Sequence, residues 1–247
     1  SDKFKGKSEQ GLYGDVIMEI DWSVGQIMNK LKEHQLHENT LFIFTSDNGP
    51  WLSFGNHAGS ALPLKEGKGT AWEGGQREPC VVYFPKKIKG GRTIDTPMMA
   101  IDILPTIAEI TGTDLPENKI DGKSVWDIWT GKTDQTQHQA YFFYYKSNEL
   151  HGVRYKDWKL YFPHTYRSLN GKQGGQNGYQ VKYEINRVEK IELYNLKMDI
   201  SESNDVAENY PEVVEKIKTL ADEMRTKLGD KLYNIEGTEN RPVGRIN

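Results

Sequence analysis

The chain of 247 residues contains a single cysteine, Cys80, which excludes an intrachain disulfide framework and a multi-cysteine zinc site. It lacks a basic excess. With 32 Lys+Arg against 35 Asp+Glu the net charge is −3, short of the broad positive field of a generic nucleic-acid binder. No apolar run approaches the about 18 residues of a membrane-spanning helix. The first ten residues, SDKFKGKSEQ, carry no secretory apolar region. No Asn-x-Ser/Thr sequon occurs, which leans toward a bacterial source. What is present is apolar material enough for a sizeable core: 36% hydrophobic residues, among them 6 Trp, 13 Tyr and 8 Phe. A soluble globular chain is expected. It opens on a long helix and not on a β-strand followed by a helix, which suggests a piece of a larger α/β protein.

Residues 11–34 predict an amphipathic helix, with Ile17, Ile20, Val24, Ile27 and Leu31 at spacings of three and four. Thr40–Thr45 (TLFIFT) is apolar on both faces, as a central strand covered by helices would be. It stops at Ser46-Asp47-Asn48-Gly49-Pro50, where glycine and proline forbid continuation. Residues 51–78 are glycine-rich and aperiodic and read as a long structured loop, a kind usually functional when it lies inside a compact domain. Pro79–Pro85 is the next strand, with Cys80 at its buried start. Asp102 reads as the N-cap of a helix that carries Pro105 in its first turn and ends at Gly112. A short helix follows around Val125–Trp129. From about residue 141 the texture changes: Tyr141–Tyr145, Gly152–Tyr155, Trp158–Phe162 and Ile191–Asn195 predict short strands. Residues 169–180 (LNGKQGGQNGYQ) read as a loop, and Pro211–Leu228 as a helix. Residues 1–140 are therefore read as one domain portion. Residues 141–247 are read as a small α+β subdomain, a short antiparallel sheet with one helix against it.

Asp47 and Asn48 follow a strand, where open α/β sheets place ligands. Their carboxylate and carboxamide oxygens are hard donors suited to Ca²⁺ or Mg²⁺. The same triplet, DNG, also suits a plain turn in which Asx side chains bond local backbone. Lys68 sits between Gly67 and Gly69, so an anion can approach it closely. His57 lies in a small-residue loop, where an imidazole can donate to an anionic oxygen or protonate a leaving group. Taken singly, a solvated lysine and a surface histidine explain these two residues as well.

Together the order and spacing are specific. SDNGP followed by GNHAGSALPLKEGKGTAWEGGQREP, then Asp102-Ile103-Leu104-Pro105-Thr106, VRYKDWKL at 153–160 and LYNLKMDISESNDVA at 193–207 closely resemble the formylglycine-dependent sulfatases, arylsulfatase-like, over nearly the whole chain. The resemblance implies the C-terminal part of an alkaline-phosphatase-like α/β sandwich, a mixed sheet flanked by helices, followed by the small subdomain. It implies that Asp47 and Asn48 ligate a divalent cation, usually Ca²⁺, and that Lys68 contacts the sulfate group and assists the leaving oxygen. His57 and His164 are implied to line the substrate pocket.

The departures matter as much. The family's nucleophile is a Cys or Ser in C/S-x-[PA]-x-R, oxidised to formylglycine. Cys80 is followed by Val81-Val82-Tyr83-Phe84, and no serine supplies the motif either. The family's Asp-Asp pair and its Lys-x-His pair are also missing. The resemblance thus implies that the nucleophile and the remaining N-terminal half lie outside this chain, and that the 247 residues alone hydrolyse no sulfate ester. The expected substrate is a sulfated small molecule or glycan, and the expected location is periplasmic or secreted, by the family's habit. Two alternatives stand beside this reading: a phosphoester or phosphonate hydrolase of the same superfamily, and a non-catalytic glycan-binding fragment. Residues 146–190 hold nine basic and four acidic side chains, an excess that suits a polyanionic glycan and equally suits a solvated face. The tail Arg241-Pro242-Val243-Gly244-Arg245 is read as either folding toward the pocket or fraying.

Overall fold

In the computed structural model, which describes residues 1–242, the chain divides into two compact units. The first gathers Ser1–Met18, Ser46–Glu78 and Ala140 onward; the second gathers Glu19–Thr45 and Pro79–Gln139. Residues 243–245 of the tail segment fall outside the described residues. The long helix α1 (Gly11–Glu33) begins in the first unit and continues in the second.

The second unit is built on a two-stranded antiparallel hairpin of β1 (Phe42–Thr45) and β2 (Cys80–Tyr83), with Ile43 opposite Val82 and Phe44 opposite Val81. Side chains alternate across a strand. Ile43 and Val82 therefore share one face, where they pack with Val125, Ile128 and Trp129 of the segment holding α4 (Trp126–Thr130). Phe44 and Val81 share the other face and are 43% and 61% exposed. This corrects the expectation of a strand covered on both sides. Cys80, at the same edge, is exposed and not a core residue. The short helix α2 (Glu73–Gln76) belongs to the first unit, and α3 (Ile103–Thr111) to the second. Helix α3 ends at Gly112, whose φ of 68° is the left-handed conformation that a glycine C-cap provides. Asp102 does not cap α3 with its side chain. Its carboxylate instead accepts from Met99 N (2.8 Å) and Lys123 N (2.9 Å) and meets His138 Nε2 at 2.7 Å, pinning the loop before α4.

In the first unit, β3 (Tyr141–Tyr145), β4 (Glu149–Tyr155), β5 (Trp158–Tyr161) and β8 (Glu192–Asn195) form an antiparallel sheet in that order. Leu150, Val153, Leu160 and Leu193 point to one face, with no exposed surface, against Ile217, Leu220 and Ala221 of α5 (Pro211–Leu228). Proline at the first turn of α5 costs no hydrogen bond there. Each fully buried Leu or Ile contributes about 1.5–3 kcal/mol. Alternation sends Lys159 and Tyr161 to the opposite face, against Ala71, Trp72 and Tyr194. Strands β6 (His164–Ser168) and β7 (Glu184–Val188) form a separate hairpin, and β9 (Gly229–Asp230) pairs with β10 (Ile235–Glu236). Among the described residues no helix is long and apolar enough to cross a membrane.

Candidate functional site

The turn after β1 and the glycine-rich loop that follows it lie against each other. Gly49 N donates to Gly75 O (3.2 Å), and Lys68 N donates to Pro50 O (2.9 Å). Glycine is required here: a Cβ on Gly49 would stand 1.8 Å from Gly74 O, and one on Gly67 would stand 2.4 Å from Pro50 O. The segments bearing Asp47, Asn48 and Lys68 are thus neighbours through their backbones. Asp47 is exposed. Asn48 spends its Nδ2 on Gly49 O (3.2 Å), which leaves its amide oxygen as an acceptor. Close by, Glu78 has a buried Oε1 with no hydrogen-bond partner; burial, and next the Asp47 charge, raise its pKa above the usual carboxylate range. A buried carboxylate oxygen without a partner, within the field of the Asp47 charge, is an environment that a hard cation would relieve, and the oxygen donor set fits Ca²⁺ or Mg²⁺. Among the described residues no group of three or more His, Cys, Asp or Glu could hold a metal unaided.

Lys68 is half-buried, its ammonium 5.1 Å from the centre of the Trp51 ring. Its backbone is held by Arg167 of β6, whose Nε donates to Lys68 O at 2.9 Å and whose Nη2 donates to the same oxygen. The Arg167 guanidinium also lies over Tyr183 (4.7 Å) and Trp51 (6.0 Å). Gly69 is obligatory beside it: its φ is 89°, and a Cβ there would meet the guanidinium at 2.3 Å.

A buried polar network anchors the far end of the same loop. Lys159 Nζ, fully buried, donates to Ala71 O (2.8 Å) and Glu73 Oε1 (2.6 Å) and lies 3.8 Å from Glu202 Oε1. Tyr161 Oη shares its one proton between Ala71 O (3.1 Å) and the nearer Glu202 Oε1, and Glu202 Oε2 accepts from Glu73 N (2.8 Å). Burial opposes ionisation of both carboxyls. The Lys159 charge nevertheless draws Glu73 below its ordinary pKa, whereas Glu202 stays above it. Glu73 is therefore the ionic partner of Lys159. Trp72 fills the space between, 4.1 Å from the Tyr161 ring and with the Lys65 ammonium 3.5 Å from its own ring centre. Lys68 rides on a loop tied down on both sides, which is the preorganisation that charge stabilisation requires.

His57 ends the 3₁₀ turn Leu52–His57, and its ring faces Gly178, where a Cβ would stand 3.7 Å from Nδ1. The 169–180 segment docks on this turn: Gly175 N and Val181 N both donate to Ser53 O (2.9 and 3.0 Å), and Asn177 N donates to Asn56 Oδ1 (3.0 Å). His164 is not brought to this surface. It is 3% exposed, stacked 4.0 Å from the His151 ring, with Nδ1 bonded to Phe162 O (2.6 Å). Burial, and then His151, push its pKa down to about 4. Sequence reasoning missed Arg167, Lys159, Glu73 and Glu202. The one available signal was Lys159 itself, a charge inside the otherwise apolar strand pattern WKLY.

With that geometry in place, comparison with known proteins defines the class. The PsFucS1 sulfatase from Pseudoalteromonas sp. superposes with a TM-score of 0.78 at 25% identity, over 90% of this chain and 44% of that one. The sulfatase family model matches residues 2–113, and the model of the C-terminal region of aryl-sulfatases matches residues 136–243. The chain belongs to the sulfatase family, whose fold is alkaline-phosphatase-like. It is 41% identical to human steryl-sulfatase over 174 residues, covering 66% of this chain and 30% of that protein. It is 32% identical to an N-acetylgalactosamine-6-O-sulfatase of Bacteroides thetaiotaomicron over 235 residues, covering 91% and 44%. The chain thus spans less than half the length of these relatives.

Proposed function

We propose that this chain supplies the charge-neutralising part of a sulfatase that hydrolyses sulfate esters, with the formylglycine nucleophile contributed from outside these 247 residues. Asp47 and Asn48 would hold Ca²⁺ or Mg²⁺. When bound, the cation would supply positive charge against the sulfate oxygens, and the formylglycine diol the attacking oxygen. The work of the chain itself follows from its residues. Lys68, a point charge between two glycines, binds a sulfate oxygen and lends a proton as the alcohol departs. His57, at the end of the turn that precedes the Lys68 segment, donates to the ester. Arg167 and the Lys159 network hold the Lys68 backbone in place, so little reorganisation is needed at the moment of reaction.

The observation that carries this reading is the pair of backbone hydrogen bonds, Lys68 N to Pro50 O and Gly49 N to Gly75 O, that join the Asp47–Asn48 turn to the Lys68 segment. Support also comes from sequence relatives that are themselves named sulfatases. The test is sulfate release from 4-nitrophenyl sulfate by the full-length polypeptide containing this chain. Lys68→Ala is expected to lower kcat/KM by about 10²–10³-fold, the usual loss when a positioned charge donor is removed. Chelation followed by Ca²⁺ or Mg²⁺ restores activity in the parent and not in Asp47→Ala. Turnover of phosphonate or phosphate monoesters with no sulfate released overturns the reading.

A further inference from the structure

Lys68 is met twice by one short stretch of chain. Its backbone N–H donates to Pro50 O (2.9 Å), and its ammonium stands over the ring of the next residue, Trp51, 5.1 Å from the centre. The backbone bond sets the register of the side-chain contact, and Gly67 permits it, since a Cβ there would collide with Pro50 O. Trp51 is itself oriented by Phe54: their ring centres are 4.9 Å apart at an interplanar angle of 84°, the edge-to-face arrangement that aromatic pairs prefer. Phe54 N also donates to Trp51 O (3.0 Å), which ties the two residues through the backbone. The Arg167 guanidinium, which holds Lys68 O, lies 6.0 Å from the same indole. One ring thus borders both Lys68 and the cation that fixes its carbonyl.

The chemistry gives this contact a purpose. A lysine that binds an anionic ester needs its headgroup held without losing its charge. A carboxylate would hold the ammonium and offset its charge against the substrate. The electron-rich face of an indole attracts it and leaves the net charge whole, and tryptophan is the strongest aromatic partner for a cation. The lysine headgroup rides on a flexible four-carbon stem, so without such a restraint it would have to be ordered at each turnover.

We propose that Trp51 is a positioning residue for Lys68: its ring restrains the ammonium by cation–π attraction, so that the charge is aimed before the ester arrives. The inference rests on the sulfatase reading above. Trp51 acts through Lys68 and not on the ester, which sets the size of its effect below that of removing Lys68 itself.

The experiment places tryptophans carrying one to four ring fluorines at position 51 of the full-length polypeptide and measures kcat/KM on 4-nitrophenyl sulfate. Ring fluorines withdraw the electron density that attracts a cation and change the shape of the ring little. The ratio kcat/KM is expected to fall stepwise with each fluorine, by about three- to tenfold over the series, the size of one partly exposed cation–π contact. In a Lys68→Met background, which keeps the stem and removes the charge, the same series should be flat; any change in packing on Phe54 would appear equally in both. The contact is also read without turnover: the fluorine NMR signal of a monofluorinated Trp51 should move on Lys68→Met. A flat series in the parent, an equal fall in the Lys68→Met background, or a fluorine signal that ignores Lys68 overturns this inference while the sulfatase reading stands. If the unsubstituted polypeptide releases no sulfate, the sulfatase reading falls, and the fluorine signal alone decides whether the ring holds the ammonium.

Discussion

Two apolar antiparallel sheets in this chain meet different fates. In the sheet β3-β4-β5-β8, Leu150, Val153, Leu160 and Leu193 retain no exposed surface, because α5 of the same unit lays Ile217, Leu220 and Ala221 over them. In the β1–β2 hairpin only the Ile43/Val82 face has cover; the Phe44/Val81 face is open to solvent. The sequences of both sheets are rich in β-formers. Composition therefore reports what a strand can bury, and the partner layer decides whether it does. The opposite face of the C-terminal sheet adds a further contrast: there a charged network does the packing.

That network gives the strongest way to test the comparison. Lys159→Met takes from buried Glu73 the cation hydrogen-bonded to it and leaves it only the longer pair with Arg154 Nη1 at 3.6 Å, and is expected to cost about 3 kcal/mol in denaturant unfolding. Adding Glu73→Gln should return part of that loss, since the buried carboxylate that lost its hydrogen-bonded cation is then neutral. On the α5 face, Leu160→Ala should cost about 2–5 kcal/mol by the same measurement. If either substitution is silent, the C-terminal sheet is not the stable half of the contrast.

His164 offers an intermediate effect through pH. Its pKa in the fold is about 4, against 6.5 for a free histidine. Between those values the unfolded chain binds a proton that the folded chain refuses. The stability His164 contributes is complete above about pH 6.5 and is lost as pH falls from there toward 4, on the order of 3 kcal/mol at the limit. The neighbouring His151, also lowered by burial, acts in the same direction. Melting temperatures at pH 7.5 and 5 should differ less in His164→Phe than in the parent. The smallest effect is expected on the open hairpin face, where Val81→Thr should move stability by no more than about 0.5 kcal/mol. A large loss there would show that the exposed face is covered in solution.

Much of the fold was legible in the sequence. Helix α5 matches its predicted bounds because Pro211 and the 3.6-residue apolar period both mark it, and α1 lies within one residue of its predicted end. Strands β3, β5 and β8 follow from aromatic and branched runs between turns. The hairpin β6–β7 was not legible. His164–Ser168 and Glu184–Val188 are polar, partly exposed runs whose pairing is set by register and not by apolar pattern. The site divides in the same way. The segments of Asp47, Asn48, His57 and Lys68 were marked by glycine and by residue type, whereas Arg167 acts on a backbone carbonyl 99 residues away, a relation no local pattern carries. Asp102 stands at the N-cap position of α3 as read, yet its side chain does not cap that helix: a carboxylate beside a helix start has several N–H donors to choose from, and this one bonds Met99 N, three residues back, and Lys123 N, 21 residues ahead.

Where the 169–180 segment docks on the Leu52–His57 turn, glycine meets glycine: a Cβ on Gly174 would stand 2.6 Å from Gly55 Cα and one on Gly55 2.0 Å from Gly175 O, and this seam bears on how such a chain diversifies. Side chains cannot be added on either border without driving atoms into a carbonyl or an α-carbon, so single replacements at the seam are barred. Variety must instead enter at the apex, through residues 170–173 and 176–179, or by exchange of both borders at once. Descendants of this sequence should accordingly differ in loop length and apex identity while leaving the seam glycines untouched.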